Sequence, residues 1–154
     1  MTALIQRVKN ASVTVDGEKI SEIGKGFLVL LGVFGSDTEK EAALLAKKTA
    51  NLRIFTDDEG KMNLSPLNLK EKGVDCKLLV VSQFTLCAEC KGQNRPSFIN
   101  AKKPDEADAL YQKYVSLLRQ EYGFEVGTGS FGAHMDVSLL NDGPVTIILD
   151  TAKL

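Results

Sequence analysis

A single α/β domain with a mixed sheet is the fold that the order of apolar patterns predicts. Strand-like segments come first, one helical segment follows, and strands, a second helix and further strands complete the 154 residues. This order is typical of a sheet covered by helices on one side. The length agrees with one domain over residues 1–154. A second β layer is also expected, because the early strands pair and a Gly-Pro turn separates two late strands.

The first third of the chain predicts five strands and one helix. Asp16 and Gly17 predict a tight hairpin turn, and the continuous apolar run 27–33 predicts a strand buried on both faces. Ser36 and Glu39 form a capping box, which predicts the start of a helix. The predicted strands are residues 4–8, 12–15, 19–23, 27–33 and 53–55.

The rest of the chain predicts a buried strand at residues 77–86, after a loop at 63–75. Pro104 suits the first position of a second helix, which ends by Gly123. Alternating apolar residues then share one face of a strand. They are Phe131, Ala133, Met135, Val137 and Leu139. The pair Gly143-Pro144 predicts a turn before the last strand, residues 145–149.

Composition and charge exclude several classes of protein. The net charge of −1 argues against a protein that binds nucleic acid through its overall charge, so no DNA partner is expected. Binding to one end of an RNA remains open. The longest apolar run has seven residues, so no membrane span is predicted. Residues 1–7 do not resemble a signal peptide. Three cysteines, an odd number, fit a reducing cytoplasm.

Ordinary catalytic motifs are missing from the sequence. Neither G-x-S-x-G nor H-E-x-x-H occurs. The only histidine, His134, is predicted to face solvent. Residues 57–59 are predicted to form a solvated acidic turn. One C-x-x-C, Cys87 and Cys90, is too little for a structural zinc site. No metal and no cofactor are expected, although a metal hydrolase using His134 and the cysteines remains an alternative.

The segment from Ser82 to Leu86 places polar side chains at the end of a buried strand. Gln83 and Thr85 are either hydrogen-bonded strand residues or the polar floor of a site. Thr85 as a nucleophile needs a base, and none is near it in sequence. The backbone amides of Phe84 and Thr85 are therefore the better candidates, as an oxyanion hole.

Two further segments allow a structural and a functional interpretation. Gly143-Pro144 is either a plain turn or a rigid pair of carbonyls that accepts hydrogen bonds from an ammonium group. The basic loop over residues 91–103 is either solvated or in contact with phosphate. Composition alone leaves both pairs open.

Several segments in the right order resemble the D-aminoacyl-tRNA deacylases, which remove wrong-handed amino acids from tRNA. The resemblance covers nearly the full length. The matching segments are residues 3–8, 11–15, 53–55, 60–64, 82–86, 95–98 and 141–146.

The resemblance implies a homodimer of α/β/β layered subunits, with active sites at the subunit interface. Gly143-Pro144 would be cis and would enter the partner's site, where Ser82, Gln83, Phe84 and Thr85 surround the ester. Arg7 would hold the Gly-Pro loop. Phe131 and Met135 match positions that line the pocket of the terminal adenosine. Thr85 matches a residue once proposed as nucleophile, and the competing view assigns assistance to the tRNA 2′-hydroxyl.

The activity that the resemblance implies is hydrolysis of D-aminoacyl-tRNA, and of mischarged glycyl-tRNA, in the cytoplasm. The partner would be the 3′ end of an aminoacylated tRNA. The alternative function is a non-enzymatic module that binds RNA ends, which the shortage of catalytic side chains and the basic loop support.

Overall fold

The first strand of the chain is long and pairs with three other strands. All residues, 1–154, are described by a computed structural model. None of the helices has the length and apolar character of a membrane-spanning segment. The strands are β1 (Thr2–Val15), β2 (Glu18–Ile23), β3 (Gly26–Gly32), β4 (Phe55–Thr56), β5 (Met62–Leu64), β6 (Lys77–Ser82), β7 (Val126–Thr128) and β8 (Asp136–Asp150). The helices are α1 (Glu39–Ala50), α2 (Pro66–Glu71) and α3 (Pro104–Gln120).

The main sheet is mixed, in the order β2-β1-β3-β6-β7, and β8 also pairs with β1. One edge of β1 pairs antiparallel with β3 along its first half and with β2 along its second half. The other edge pairs antiparallel with β8 along nearly its whole length. The pairs β3–β6 and β6–β7 are parallel. The single α/β domain with a mixed sheet is thus confirmed, whereas the α/β/β layering stays a prediction.

The two faces of the sheet bury different apolar clusters. The larger cluster packs α1 and α3 against one face and includes Phe27, Leu45 and Leu118. The smaller cluster lies on the other face and includes Val8, Leu28 and Leu79. Adjacent residues of β3 belong to opposite clusters, so this strand is buried on both faces, as its continuous apolar run predicts.

Three local predictions are wrong in their boundaries. Helix α1 is capped by Thr38 with Glu41, rather than by Ser36 with Glu39. The carboxylate of Asp37 accepts a hydrogen bond from the Phe34 amide (2.6 Å), which keeps the chain in a turn until Thr38. Residues 63–75 contain β5 and α2, because Ser65 caps a helix that begins at Pro66. Strand β6 ends at Ser82, and a 3₁₀ helix, Phe84–Cys87, follows.

The predicted hairpin at Gly143-Pro144 is also wrong. The residues before and after this pair belong to one strand, β8, and both halves pair with β1. Asn141 pairs with Val8 and Thr146 pairs with Gln6, so four residues of β8 lie opposite one residue of β1. Residues 142–145 therefore leave the ladder as a bulge. We call these four residues the Gly-Pro bulge.

Removal of one buried hydroxyl pair between α1 and α3 is expected to reduce stability. Thr49 Oγ1 and Tyr114 OH are 2.7 Å apart and both residues are fully buried. We expect Tyr114→Phe to lower the free energy of unfolding by about 1–2 kcal/mol, because the hydroxyl of Thr49 loses this partner. The measurement is urea unfolding, with Tyr122→Phe as the control. If the pair acts as a unit, adding Thr49→Val to Tyr114→Phe will cost less than Thr49→Val alone.

Candidate functional site

A cleft of about 470 Å³ opens at the carboxyl ends of β3 and β6. Ligands of parallel sheets commonly bind at this edge, where the strands end and loops begin. The floor is apolar and the rim carries two lysines. The lining residues are Leu31, Val33, Ser82, Gln83, Phe84, Phe98, Ala101, Lys102, Lys103, Pro104, Ala107, Tyr111, Phe131 and Gly132.

The turn after β6 brings backbone amides to the cleft. The Gln83 amide donates to the Leu31 carbonyl (2.8 Å), which is the last ladder bond before the 3₁₀ helix. The next intrahelical donor is Leu86, to the Gln83 carbonyl (3.2 Å), and the amides of Phe84 and Thr85 donate to no protein group. Free amides at the start of a helix turn are available to an anion. The predicted amides are thus free, but they belong to a 3₁₀ helix rather than to a strand.

Gly32 allows this 3₁₀ helix to pack against the end of β3. A Cβ atom at position 32 would lie 2.9 Å from Leu86 Cβ and 3.3 Å from the Gln83 carbonyl oxygen. Any larger residue would force β3 and the 82–87 segment apart. The sequence offers no periodic signal for this contact, because it joins residues far apart in the chain.

Thr85 is exposed and has no base beside it. Its hydroxyl contacts the side-chain amide of Gln83, which donates a hydrogen bond and cannot remove a proton. His134, the only histidine, is almost fully exposed and lies 3.9 Å from Asp136. The prediction that His134 faces solvent is confirmed.

Two aromatic pairs border the cleft. Tyr111 OH donates to the Val80 carbonyl (2.8 Å), and its ring lies 6.0 Å from that of Phe131. Burial raises the pKa of Tyr111 to about 12, so the hydroxyl remains a donor at neutral pH. Phe84 and Phe98 form an edge-to-face pair at 4.9 Å. These rings provide flat apolar surfaces on which a planar group can stack.

Met135 faces the second cluster rather than the cleft. Its sulfur accepts a hydrogen bond from the Ser130 amide (3.4 Å), and its side chain packs against the apolar cluster that contains Val81. Phe131 packs against the larger cluster, on the opposite face of the sheet, and β8 begins only at Asp136, so the prediction that Phe131 and Met135 share one face of a strand is wrong. Only Phe131 lines the cleft.

Arg7 fixes the Gly-Pro bulge from inside. Its Nε donates to the Asp142 carbonyl (3.1 Å) and lies 3.4 Å from the Asp142 carboxylate. One terminal nitrogen donates to the Ile54 carbonyl (2.6 Å), which joins the bulge to the irregular segment just before β4. The peptide bond between Gly143 and Pro144 is cis, and both residues are exposed.

The bulge and the cleft lie at opposite ends of the same chain's sheet. Arg7 pairs with Phe27 at the start of β3, whereas Ser82 pairs with Leu31 near its end. Four residues of strand separate the two positions, which is about 13 Å along the sheet. One chain therefore brings together Ser82, Gln83, Phe84 and Phe131, but leaves Arg7, Gly143 and Pro144 elsewhere.

Comparison with known proteins assigns the family. The family model described as D-Tyr-tRNA(Tyr) deacylase matches residues 4–150. The chain belongs to this family. Curated relatives named D-aminoacyl-tRNA deacylase include one from Natranaerobius thermophilus, 50% identical, and one from Chlorobaculum parvum, 53% identical. Each alignment covers 99% of this chain and 99% of the relative.

Two solved structures share the fold. One is described as "c-Myc DNA Unwinding Element Binding Protein", is 42% identical and has a TM-score of 0.88, over 97% of this chain and 98% of that one. The other is described as a probable eukaryotic D-amino acid tRNA deacylase, with a TM-score of 0.78 over 97% and 99% of the two chains. At 18% identity, the second supports the fold alone.

The metal-hydrolase alternative needs ligands that the fold keeps apart. No group of three or more histidine, cysteine or acidic side chains comes together in the chain. Cys87 is buried and donates to the Val33 carbonyl (3.4 Å), and burial raises the pKa of its thiol to about 11. Cys90 is exposed. Cys87 is thus a packed thiol and Cys90 a surface thiol.

Several lining residues were not predicted from the sequence. The sequence predicts Tyr111 only as part of the second helix, and Phe98 only as part of the matching segment 95–98. Lys102 and Lys103 belong to the predicted basic loop and lie on the rim of the cleft. Lys102 donates to the Gly35 carbonyl (2.9 Å) and approaches Glu106, whereas the exposed Lys103 has no acidic partner. The basic character of this loop is the feature of the sequence that points to these two lysines.

Proposed function

We propose that this protein hydrolyses the ester bond of D-aminoacyl-tRNA and releases free tRNA and a D-amino acid. The observation that carries the proposal is the match of almost the entire chain to curated proteins of that name. The cleft adds support, because it combines aromatic surfaces for a terminal base with free amides for an ester oxygen. We assign the reaction to the cytoplasm, where tRNA is charged.

In the proposed assembly, two copies of the chain build each active site. The Gly-Pro bulge of one subunit reaches the cleft of its partner. Two observations support this: the bulge is exposed and distant from its own cleft, and the outer edge of β8 pairs with no strand. Leu140 and Ile148 on β8 are 51% and 64% exposed. Apolar residues on a long free edge strand favour association with another copy.

Selection of the amino acid would depend on backbone atoms. The carbonyls of Gly143 and Pro144 accept hydrogen bonds from the α-ammonium group, which fixes the amino acid at its α-carbon. An L-side chain would then be directed against the bulge, whereas a D-side chain points to solvent. Selection by exclusion does not depend on which side chain the D-amino acid carries. Glycine is therefore a substrate as well, because it has no side chain to exclude.

Hydrolysis would proceed without a side-chain nucleophile. Water attacks the ester carbonyl, the amides of Phe84 and Thr85 stabilise the oxyanion, and the ribose 3′-oxygen leaves with a proton. The neighbouring 2′-hydroxyl assists the proton transfer. Preorganised amides of this kind contribute about 10²–10³-fold to the rate of acyl transfer. Phe131 supports the terminal adenosine, and Lys103 is available to a tRNA phosphate.

The decisive experiment compares D-tyrosyl-, L-tyrosyl- and glycyl-tRNA as substrates of the purified protein. We expect hydrolysis of the D-ester and the glycyl ester and little of the L-ester. Equal rates for D and L would contradict selection by exclusion. Binding of charged tRNA without hydrolysis would favour the alternative of an RNA-end-binding module. Loss of activity in a chelator would favour the metal-hydrolase alternative.

The variant Thr85→Ala is expected to retain most of the activity. The Thr85 side chain is exposed and its hydroxyl is hydrogen-bonded to Gln83, whereas the proposed role of this residue belongs to its backbone amide. We expect kcat/KM for D-tyrosyl-tRNA to fall by no more than about threefold, against several orders of magnitude for a lost nucleophile. Single-turnover hydrolysis measures this directly. A nearly inactive variant that remains folded would support the nucleophile model.

A further inference from the structure

The neck of the Gly-Pro bulge is closed by a side-chain carboxamide. Asn141 and Thr146 are the last and first ladder residues on either side of the bulge. Asn141 Nδ2 donates to Thr146 Oγ1 (3.0 Å), and Asn141 Oδ1 accepts from the Val145 amide (3.1 Å). Gln6 Nε2 approaches Thr146 Oγ1 from β1 (3.4 Å). The nitrogen and the oxygen of the Asn141 carboxamide therefore both form hydrogen bonds, with partners close to it in the chain.

The bond to Val145 determines where the carbonyl of Pro144 points. The Val145 N–H and the Pro144 C=O belong to the same planar peptide unit, and in a trans peptide they point in opposite directions. Since the N–H is directed at Asn141 Oδ1 inside the neck, the Pro144 carbonyl is directed away from the neck. Arg7 acts on the preceding side only, through the Asp142 carbonyl. Asn141 is thus the side chain that orients the second half of the bulge.

The carboxamide has one orientation that satisfies both contacts. The Val145 N–H is a donor, so it requires an acceptor, which only Oδ1 of Asn141 provides. Nδ2 must then face Thr146 Oγ1, which accepts. An aspartate at this position keeps the acceptor for Val145, and the Thr146 hydroxyl can donate to the second carboxylate oxygen. A leucine has nearly the same shape as asparagine and provides neither contact.

We propose that Asn141 is a positioning residue for chiral selection. It holds the Pro144 carbonyl in the direction that binds the α-ammonium group and keeps the wall against L-side chains in place. This inference rests on the proposed function of the bulge. It assigns to Asn141 an effect on the ratio of D to L hydrolysis, which a residue needed only for folding would not change.

The test compares kcat/KM for D-tyrosyl- and L-tyrosyl-tRNA in three variants. Asn141→Leu is expected to lower the D-to-L ratio at least about tenfold, with the L-ester gaining rate relative to the D-ester. Asn141→Asp is expected to stay within about threefold of the original ratio, because the acceptor for Val145 remains. The matched control is Asn51→Ala, at the end of α1, where the carboxamide contacts only the Lys47 carbonyl.

The outcomes separate this inference from the proposed function. An unchanged D-to-L ratio in folded Asn141→Leu, or equal damage in Asn141→Leu and Asn141→Asp, would overturn the positioning role. A parent protein without preference for D-esters would overturn the proposed function, and the inference with it. If Asn141→Leu does not fold, Asn141→Ala removes the same contacts without adding apolar surface, and the same ratios decide.

Discussion

The substitution Gly143→Ala is expected to remove most of the deacylase activity while leaving the fold intact. Gly143 has φ +135°, a conformation that residues with a side chain rarely adopt. A Cβ atom would lie 2.7 Å from Val145 Cγ2, 3.0 Å from the Val145 nitrogen and 3.3 Å from an Arg7 nitrogen. The bulge must therefore shift as a whole. Misplacement of a binding group by about 1 Å can cost about 10²-fold in rate.

The measurement is kcat/KM for D-tyrosyl-tRNA, with urea unfolding in parallel. Gly60→Ala is the matched control, because Gly60 also has positive φ (+81°) but a Cβ atom there meets nothing within 4 Å. We expect Gly60→Ala to reduce stability by about 1 kcal/mol and to leave kcat/KM unchanged. Near-normal activity in Gly143→Ala would mean that the bulge does not contact the substrate.

Local chemistry in the sequence predicted those parts of the fold that depend on neighbouring residues. Asp16-Gly17 forms the hairpin turn, with φ +50° and +81°, and Pro104 begins α3. Two overlapping capping boxes, Ser36 with Glu39 and Thr38 with Glu41, compete for the start of α1. The choice between them depends on Asp37, whose contact with the Phe34 amide belongs to the preceding turn. Sequence spacing alone does not distinguish two equally good caps.

The nature of the Gly-Pro segment depends on a contact with a distant part of the chain. A turn between two strands and a bulge within one strand have the same local pattern of apolar residues. The difference is whether residues 136–141 and 146–150 pair with each other or with β1, which is more than a hundred residues away. Ser82, Gln83 and Phe84 do line a cleft, because their position at the end of a buried strand is a local property, and their role in a site stays a prediction.

The proposed division of each active site between two subunits has a consequence for mixed dimers. Gly143→Ala damages the bulge but leaves the cleft of the same chain intact. Ser82→Trp should do the opposite, because Ser82 lines the cleft at the end of β6 and a large ring there would fill the space. Each variant alone is expected to be inactive, since both sites of either homodimer lack one component.

Mixing the two inactive variants should restore activity. In a dimer of one Gly143→Ala chain and one Ser82→Trp chain, the intact cleft of the first meets the intact bulge of the second, and the other site is doubly defective. Random pairing of equal amounts of the two chains makes one site in four functional, so we expect about a quarter of the parent activity. The measurement is kcat for D-tyrosyl-tRNA after co-refolding. Mixed dimers isolated by co-expression with two different tags and sequential purification have one functional site of two, so about half of the parent activity is expected for them. A mixed dimer that stays inactive, with both chains folded and paired, would require the bulge and the cleft of one chain to act in the same site. The separation of about 13 Å along the sheet argues against that.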